Sequence, residues 1–124
     1  LTTLNPRDKS PGGKDRCAMF TARAMTAFMR YVAAHGEKNP AGQPIASPVD
    51  ADLRGLGPFL LQVGSEEALR PDSELLAERL AAAGVPVRLQ VFDRAVHVFQ
   101  AFAFSNPDAR RAVGEVAEFV KAVA

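Results

Sequence analysis

The sequence predicts an α/β fold organised on parallel strands, and three stretches carry that prediction. Phe59–Val63 (Phe-Leu-Leu-Gln-Val) is a nearly unbroken apolar run set between Gly57-Pro58 and Gly64, the pattern of a parallel strand covered on both faces. Pro71-Asp72-Ser73-Glu74 opens a helical repeat in which Leu75, Leu76, Leu80 and Ala83 share one stripe and Gly84 closes the turn, with Asp72 or Ser73 available as a cap. Val87–Phe92 (Val-Arg-Leu-Gln-Val-Phe) then alternates as a less completely covered strand does. Strand, helix and strand in that order form a βαβ unit, with parallel strands and a right-handed crossover. Ligands of such sheets gather outside the carboxyl ends of the strands. Ser65, Glu66 and Glu67 follow the first strand there, and His97 follows the second.

Size and composition bound the function classes. A chain of 124 residues is long enough for one domain that buries roughly two thirds of its unfolded surface. A net charge of +1, with charges spread along the chain, gives no basis for a nucleic-acid or anionic-membrane partner. Residues 1–38 carry seven Lys and Arg against three Asp and Glu, which reads as a solvated surface. Cys17 is the only cysteine, so no intrachain disulfide and no cysteine-based metal cluster can form, and a reducing, cytoplasmic setting fits. No apolar run approaches the roughly twenty residues of a membrane helix, and the polar start is not a signal peptide. We therefore expect a soluble protein that needs neither cofactor nor metal. The chain begins at Leu1 in a loop rather than at an initiator Met, as the continuation of a longer polypeptide would.

The remaining elements follow in order. Residues 1–15, rich in Pro, Gly, Lys and Asp, read as an irregular connector, and 16–124 as the folded portion. Asp15 is placed to cap a helix from Arg16 to about His35, on which Phe20, Ala24, Ala27, Phe28 and Tyr31 recur at helical spacing before Gly36 ends it. Met19, Met25 and Met29 soften that face, as ordinary core or as the wall of an apolar channel. His35 reads as a helix-end histidine rather than a ligand. Residues 37–58 hold Pro40, Pro44, Pro48 and Pro58, too much punctuation for a long element. Ile45, Val49, Leu53 and Leu56 are the apolar anchors of an ordered loop. After His97, Val98–Phe102 forms a short helix. Asn106-Pro107-Asp108 starts a last amphipathic helix whose buried face is Ala112, Val113, Val116, Phe119, Val120 and Val123.

The chemistry is carried by the two strand ends. Parallel neighbours open on the same edge of a sheet, so a carboxylate from the acidic loop can meet the imidazole of His97. Bonded to Nδ1–H, that carboxylate fixes the tautomer and stabilises the imidazolium, leaving Nε2 to take a proton from a nucleophile. The bland reading is a solvated turn beside a structural histidine, and the residue types alone leave both open.

Gly-Leu-Gly-Pro-Phe-Leu-Leu-Gln-Val-Gly-Ser-Glu-Glu (55–67), the helix Asp72–Ala83 with Gly84-Val85, and His97-Val98-Phe99 together resemble the carboxyl-terminal part of the hormone-sensitive-lipase-like α/β-hydrolases, which are carboxylesterases. Ala46-Ser47-Pro48, Ala51-Asp52-Leu53 and Gly55-Leu56 resemble that family's approach to the strand, so the likeness runs from about residue 16 to 124. It implies a carboxylic-ester hydrolase with a Ser-Glu-His triad in the chain order Ser, acid, His. His97 is then the general base. Glu67 is the acid at the position used by members with a Gly-x-Asp-Glu loop, and Glu66 is the runner-up, where other members carry Asp.

One departure is decisive. The family's nucleophile sits in Gly-x-Ser-x-Gly and its oxyanion hole in a His-Gly-Gly type loop. Ser10, Ser47, Ser65, Ser73 and Ser105 lack the flanking glycines, and Gly12-Gly13 lacks the preceding His. We expect the last third or so of a hydrolase, partnered by the preceding, nucleophile-bearing part and acting on a small-molecule ester. The alternatives are a non-catalytic α/β binding module and a self-associating fragment, since an oligomer is compatible with a hydrophobic edge.

Overall fold

The computed structural model describes Met19, residues 21–35 and residues 51–124. Its core is a two-stranded parallel sheet, β1 (Phe59–Gly64) beside β2 (Val87–Phe92), in one-to-one register from Phe59 opposite Val87 to Gly64 opposite Phe92. β1 thus runs one residue past the apolar run, because the Gly64 backbone still pairs. Helix α2 (Arg70–Ala82) connects the strands, and α3 (Pro107–Val123) follows a short 3₁₀ turn, Phe99–Phe102. Alternation along the strands sends Phe59, Leu61 and Val87 towards α2, while Gln62 and Gln90 reach α3 and its neighbourhood.

The α2 face is apolar throughout. Leu53, Leu80 and Val85 form a buried cluster on which Phe59, Leu61, Leu76, Ala83 and Val87 pack, with Leu80 fully enclosed. The helix ends as its glycine predicts. Gly84 adopts φ 75°, the Gly84 N–H donates to the Ala81 carbonyl, and the Val85 N–H donates to the Leu80 carbonyl. This is a Schellman termination, complete with the Leu80–Val85 apolar contact. The start differs from the expected cap. The helix begins at Arg70, with Leu69 at the N-cap and no side-chain cap bond, and the Ser73 hydroxyl donates back to the Leu69 carbonyl instead. Pro71, in the first turn, needs no N–H partner, so the helix starts before the polar residues that follow.

Of the anchors expected before β1, Leu53 is buried but Leu56 is 43% exposed, beyond the turn where Gly55 has φ 76°. Ile45 and Val49 lie outside the described residues. Arg54 donates to both carboxylate oxygens of Asp52, and this pairing holds the Asp52 carboxyl below its ordinary value.

The α3 face is mixed. Phe92, Phe99, Ala109 and Ala112 form its buried cluster, with the Phe92 and Phe99 rings 4.7 Å apart and Arg111 over the Phe92 ring. Asn106 caps the helix by accepting from the N–H groups of Asp108 and Ala109. Farther from the strand ends a polar chain takes over. Gln62 donates to Gln90 and to the Ala112 carbonyl, Gln100 donates to Gln62, and Gln90 donates to Glu115. The expected buried face of α3 is realised only at Ala112, which Ala109 joins. Phe119 is half-buried, and Val113, Val116, Val120 and Val123 are exposed. Two strands offer too little surface to cover a helix of 17 residues.

Helix α1 (Ala22–His35) also starts later than its periodicity suggests. Met19 and Thr21 are not helical, and the Thr21 hydroxyl accepts the Ala24 N–H, making Thr21 the cap in place of Asp15. Ala24, Ala27, Phe28 and Tyr31, expected in a core, are exposed, because no other described element covers that face. Asp15, Phe20, the connector 1–15 and Gly36 fall outside the described residues. Among the described residues no helix is long and apolar enough to cross a membrane.

Candidate active site

The backbone turns sharply where β1 ends. The Glu67 N–H donates to the Gly64 carbonyl, and the Gly64 N–H returns to Glu67 Oε2 at 2.6 Å, so the carboxylate folds back onto its own strand end. Glu67 is only 7% exposed. A buried carboxylate needs partners for its oxygens, and the second one comes from the other strand: Glu67 Oε1 lies 2.7 Å from Nδ1 of half-buried His97. The carboxylate acts as acceptor, so Nδ1 carries the proton and the ring's basic lone pair is at Nε2.

His97 reaches that position through a short, strongly bent segment. Arg94 (φ 50°) and Val98 (φ 57°) both occupy the left-handed region. For the β-branched Val98 this is costly, and it persists only where neighbours determine it. Here they do: the Phe99 N–H donates to the Val96 carbonyl, and the buried Phe99 ring packs on Phe92. Gly64 supplies the matching surface on the acid side. A Cβ there would collide with the Ala95 carbonyl, so only glycine allows the two segments to approach.

The sequence-derived candidates separate cleanly. Glu67 and His97 are brought together. Glu66, the runner-up acid, is exposed; its backbone N–H donates to the Ala95 carbonyl and its carboxylate lies 3.5 Å from the Ser65 hydroxyl, away from the imidazole. Sequence reasoning missed two features around the pair. One is the glutamine chain under the His97 segment, signalled only by a glutamine at the fourth position of each strand. The other is the bonding of the acid loop to the turn after β2, which a serine beside two glutamates does not announce. Among the described residues no group of three or more His, Cys, Asp or Glu side chains is arranged to hold a metal.

Comparison with known proteins agrees with this architecture. The family model described as alpha/beta hydrolase fold matches residues 2–101. The chain belongs to the α/β-hydrolase fold family. Within it, the chain is similar to a hormone-sensitive lipase from a metagenome library, with a TM-score of 0.74 and 38% identity over 90% of this chain and 37% of that one. It is also similar to a hyperthermophilic esterase from the archaeon Pyrobaculum calidifontis, with a TM-score of 0.71 and 32% identity over 86% of this chain and 35% of that one. Among curated proteins it is 36% identical to esterase LipU of Mycobacterium tuberculosis over 84% of this chain and 36% of LipU. The chain spans about a third of the length of these relatives.

Proposed function

We propose that this chain is the carboxyl-terminal part of a carboxylic-ester hydrolase and supplies the acid and the base of a Ser-Glu-His triad. The observation that carries the reading is the 2.7 Å contact between buried Glu67 and Nδ1 of His97 beyond two parallel strands. Support comes from relatives named esterases and lipases and from the share of their length that the chain spans. In this reading Glu67 orients the imidazole and stabilises its protonated form. His97 Nε2 takes the proton from a serine hydroxyl as that oxygen attacks the ester carbonyl, then delivers it to the leaving alkoxide. A second cycle with water releases the acid.

The serine and the oxyanion donors belong to a preceding segment of the same hydrolase, since no serine of this sequence sits in Gly-x-Ser-x-Gly. The substrate is a small-molecule ester, and the setting is cytoplasmic, in keeping with a lone cysteine.

The test is made in the complete polypeptide. His97→Ala and Glu67→Gln should each lower ester turnover by on the order of 10³-fold or more while the protein stays folded. Retention of more than about a tenth of turnover by His97→Ala, far above the residue left after triad loss, overturns the assignment. The purified 124-residue chain should hydrolyse p-nitrophenyl esters no faster than background, because base and orienter alone lack a nucleophile and oxyanion donors. The exposed valines of α3 and the exposed Phe28 and Tyr31 of α1 favour self-association of that isolated chain. Concentration-independent sedimentation as a monomer would remove this second reading.

A further inference from the structure

We infer that Ser65 is a positioning residue for the Glu67–His97 pair, acting through the backbone of Arg94. The inference rests on the catalytic reading of that pair. The acid loop and the His97 segment leave adjacent strand ends, and besides the Glu67–His97 contact three hydrogen bonds tie them together beyond the last register pair. The Ser65 N–H donates to the Phe92 carbonyl at 2.8 Å, the Glu66 N–H donates to the Ala95 carbonyl at 3.2 Å, and the Arg94 N–H donates to the Ser65 hydroxyl oxygen at 2.7 Å. Two of the three are backbone to backbone and survive any side-chain change. The third is made by a side chain, is the shortest, and lands on the residue whose φ of 50° sets the direction in which the chain continues to His97.

A non-glycine residue in the left-handed region is disfavoured because its Cβ crowds the following carbonyl oxygen, so Arg94, like Val98, is a joint that relaxes unless neighbours hold it. The Ser65 oxygen fixes that peptide from the acid side. Gly64 lets the segments come close enough for the bond, with its Cα packed under the Ala95 carbonyl. The Arg94 N–H lies in an exposed part of the structure, so water can replace the hydroxyl when it is removed. Little folding stability is therefore at stake. What is lost is the fixed placement of a turn three residues before the imidazole, and misplacement of a catalytic group by about 1 Å costs up to roughly a hundredfold.

The experiment uses the complete polypeptide with Ser65→Ala and Ser65→Thr, alongside His97→Ala and Glu67→Gln. Ser65→Ala should lower kcat by about tenfold or more, within the range that misplacement allows, with KM unchanged. The melting temperature should stay close to that of the parent. The downfield Nδ1 proton resonance of His97 should broaden through faster exchange with water. Ser65→Thr, which keeps the hydroxyl, should restore both turnover and resonance. Parent-like turnover in Ser65→Ala, with His97→Ala and Glu67→Gln dead, overturns the role of Ser65 alone and leaves the pair standing. A loss in Ser65→Ala that tracks a loss of folded protein and is not recovered by Ser65→Thr marks a merely structural role and equally overturns it. Parent-like turnover in His97→Ala and Glu67→Gln removes the catalytic reading itself, and the positioning role falls with it.

Discussion

The two faces of the sheet solve different problems. The α2 face is a dry cluster, Leu53, Leu80 and Val85 with Phe59, Leu61 and Val87 against it, closed by a Schellman turn. The α3 face is apolar only near the strand ends, where Phe92, Phe99, Ala109 and Ala112 gather, and it is held elsewhere by Gln62, Gln90, Gln100 and Glu115. Apolar contact is non-directional and tolerates sliding. Amide hydrogen bonds fix distance and angle. The face that carries the segment with His97 is the one built with directional bonds, so the difference teaches where the molecule invests in placement rather than in burial.

Substitutions on the two faces should separate these roles. The largest effect is expected for Leu80→Ala, a fully buried side chain in the α2 cluster, at about 2–5 kcal/mol of stability. Urea unfolding would show it, while turnover per folded molecule of the complete polypeptide stays near the parent's. A large drop in that turnover would mean that the two faces are not separable. Gln62→Leu should cost about 1–3 kcal/mol by stripping Gln90, Gln100 and the Ala112 carbonyl of a partner. Adding Gln90→Leu should cost less than a second independent loss, because both members of one bond are then gone. Strict additivity in a double-mutant cycle would show that the chain of amides is not one unit.

Asn106→Ala, which removes the cap of α3, should cost about 1 kcal/mol, read as a shift of the urea midpoint at constant slope. The smallest effect is expected away from both faces. Pairing with Arg54 depresses the Asp52 carboxyl, so its contribution is present above its ordinary value of 3.8 and fades as pH falls through the lower folded value. Both side chains are exposed, and exposed pairs contribute little. Asp52→Asn should leave the melting temperature unchanged from pH 7 down to pH 4, and a fall at pH 7 would show that the pair matters.

What could be read from the sequence is what local pattern determines. The apolar run Phe59–Val63, the alternation Val87–Phe92 and the stop at Gly84 describe themselves, and the juxtaposition of Glu67 and His97 follows from parallel strands opening on one edge. The choice of Glu67 over Glu66 came from family likeness, since two adjacent carboxylates look alike in sequence. Geometry separates them, because the Gly64 N–H draws only Glu67 inward. Periodicity misjudged α3, where Val113, Val116, Val120 and Val123 have the spacing of a buried face and no described element to cover them. It likewise placed the start of α1 at Asp15–Arg16, although the Thr21 hydroxyl makes the cap. Amphipathicity says which side of a helix is apolar and is silent on whether a neighbour is there.

The one-to-one strand register has a consequence for how this region can vary. Glu67 and His97 are 30 residues apart in the chain, but that interval is not the measuring device. Pairing of Gly64 with Phe92 sets the separation of the two side chains, and the crossover helix beyond the acid loop is free to vary in length. Lengthening α2 by a whole turn leaves the meeting point where it is. A single residue inserted within β1 or β2 shifts the pairing and sends the side chains beyond it to the opposite face. Natural variation in this region should therefore accumulate in the length of the crossover and be nearly absent from the length of the strands. The crossover is accordingly the place to graft a reporter or a new binding loop.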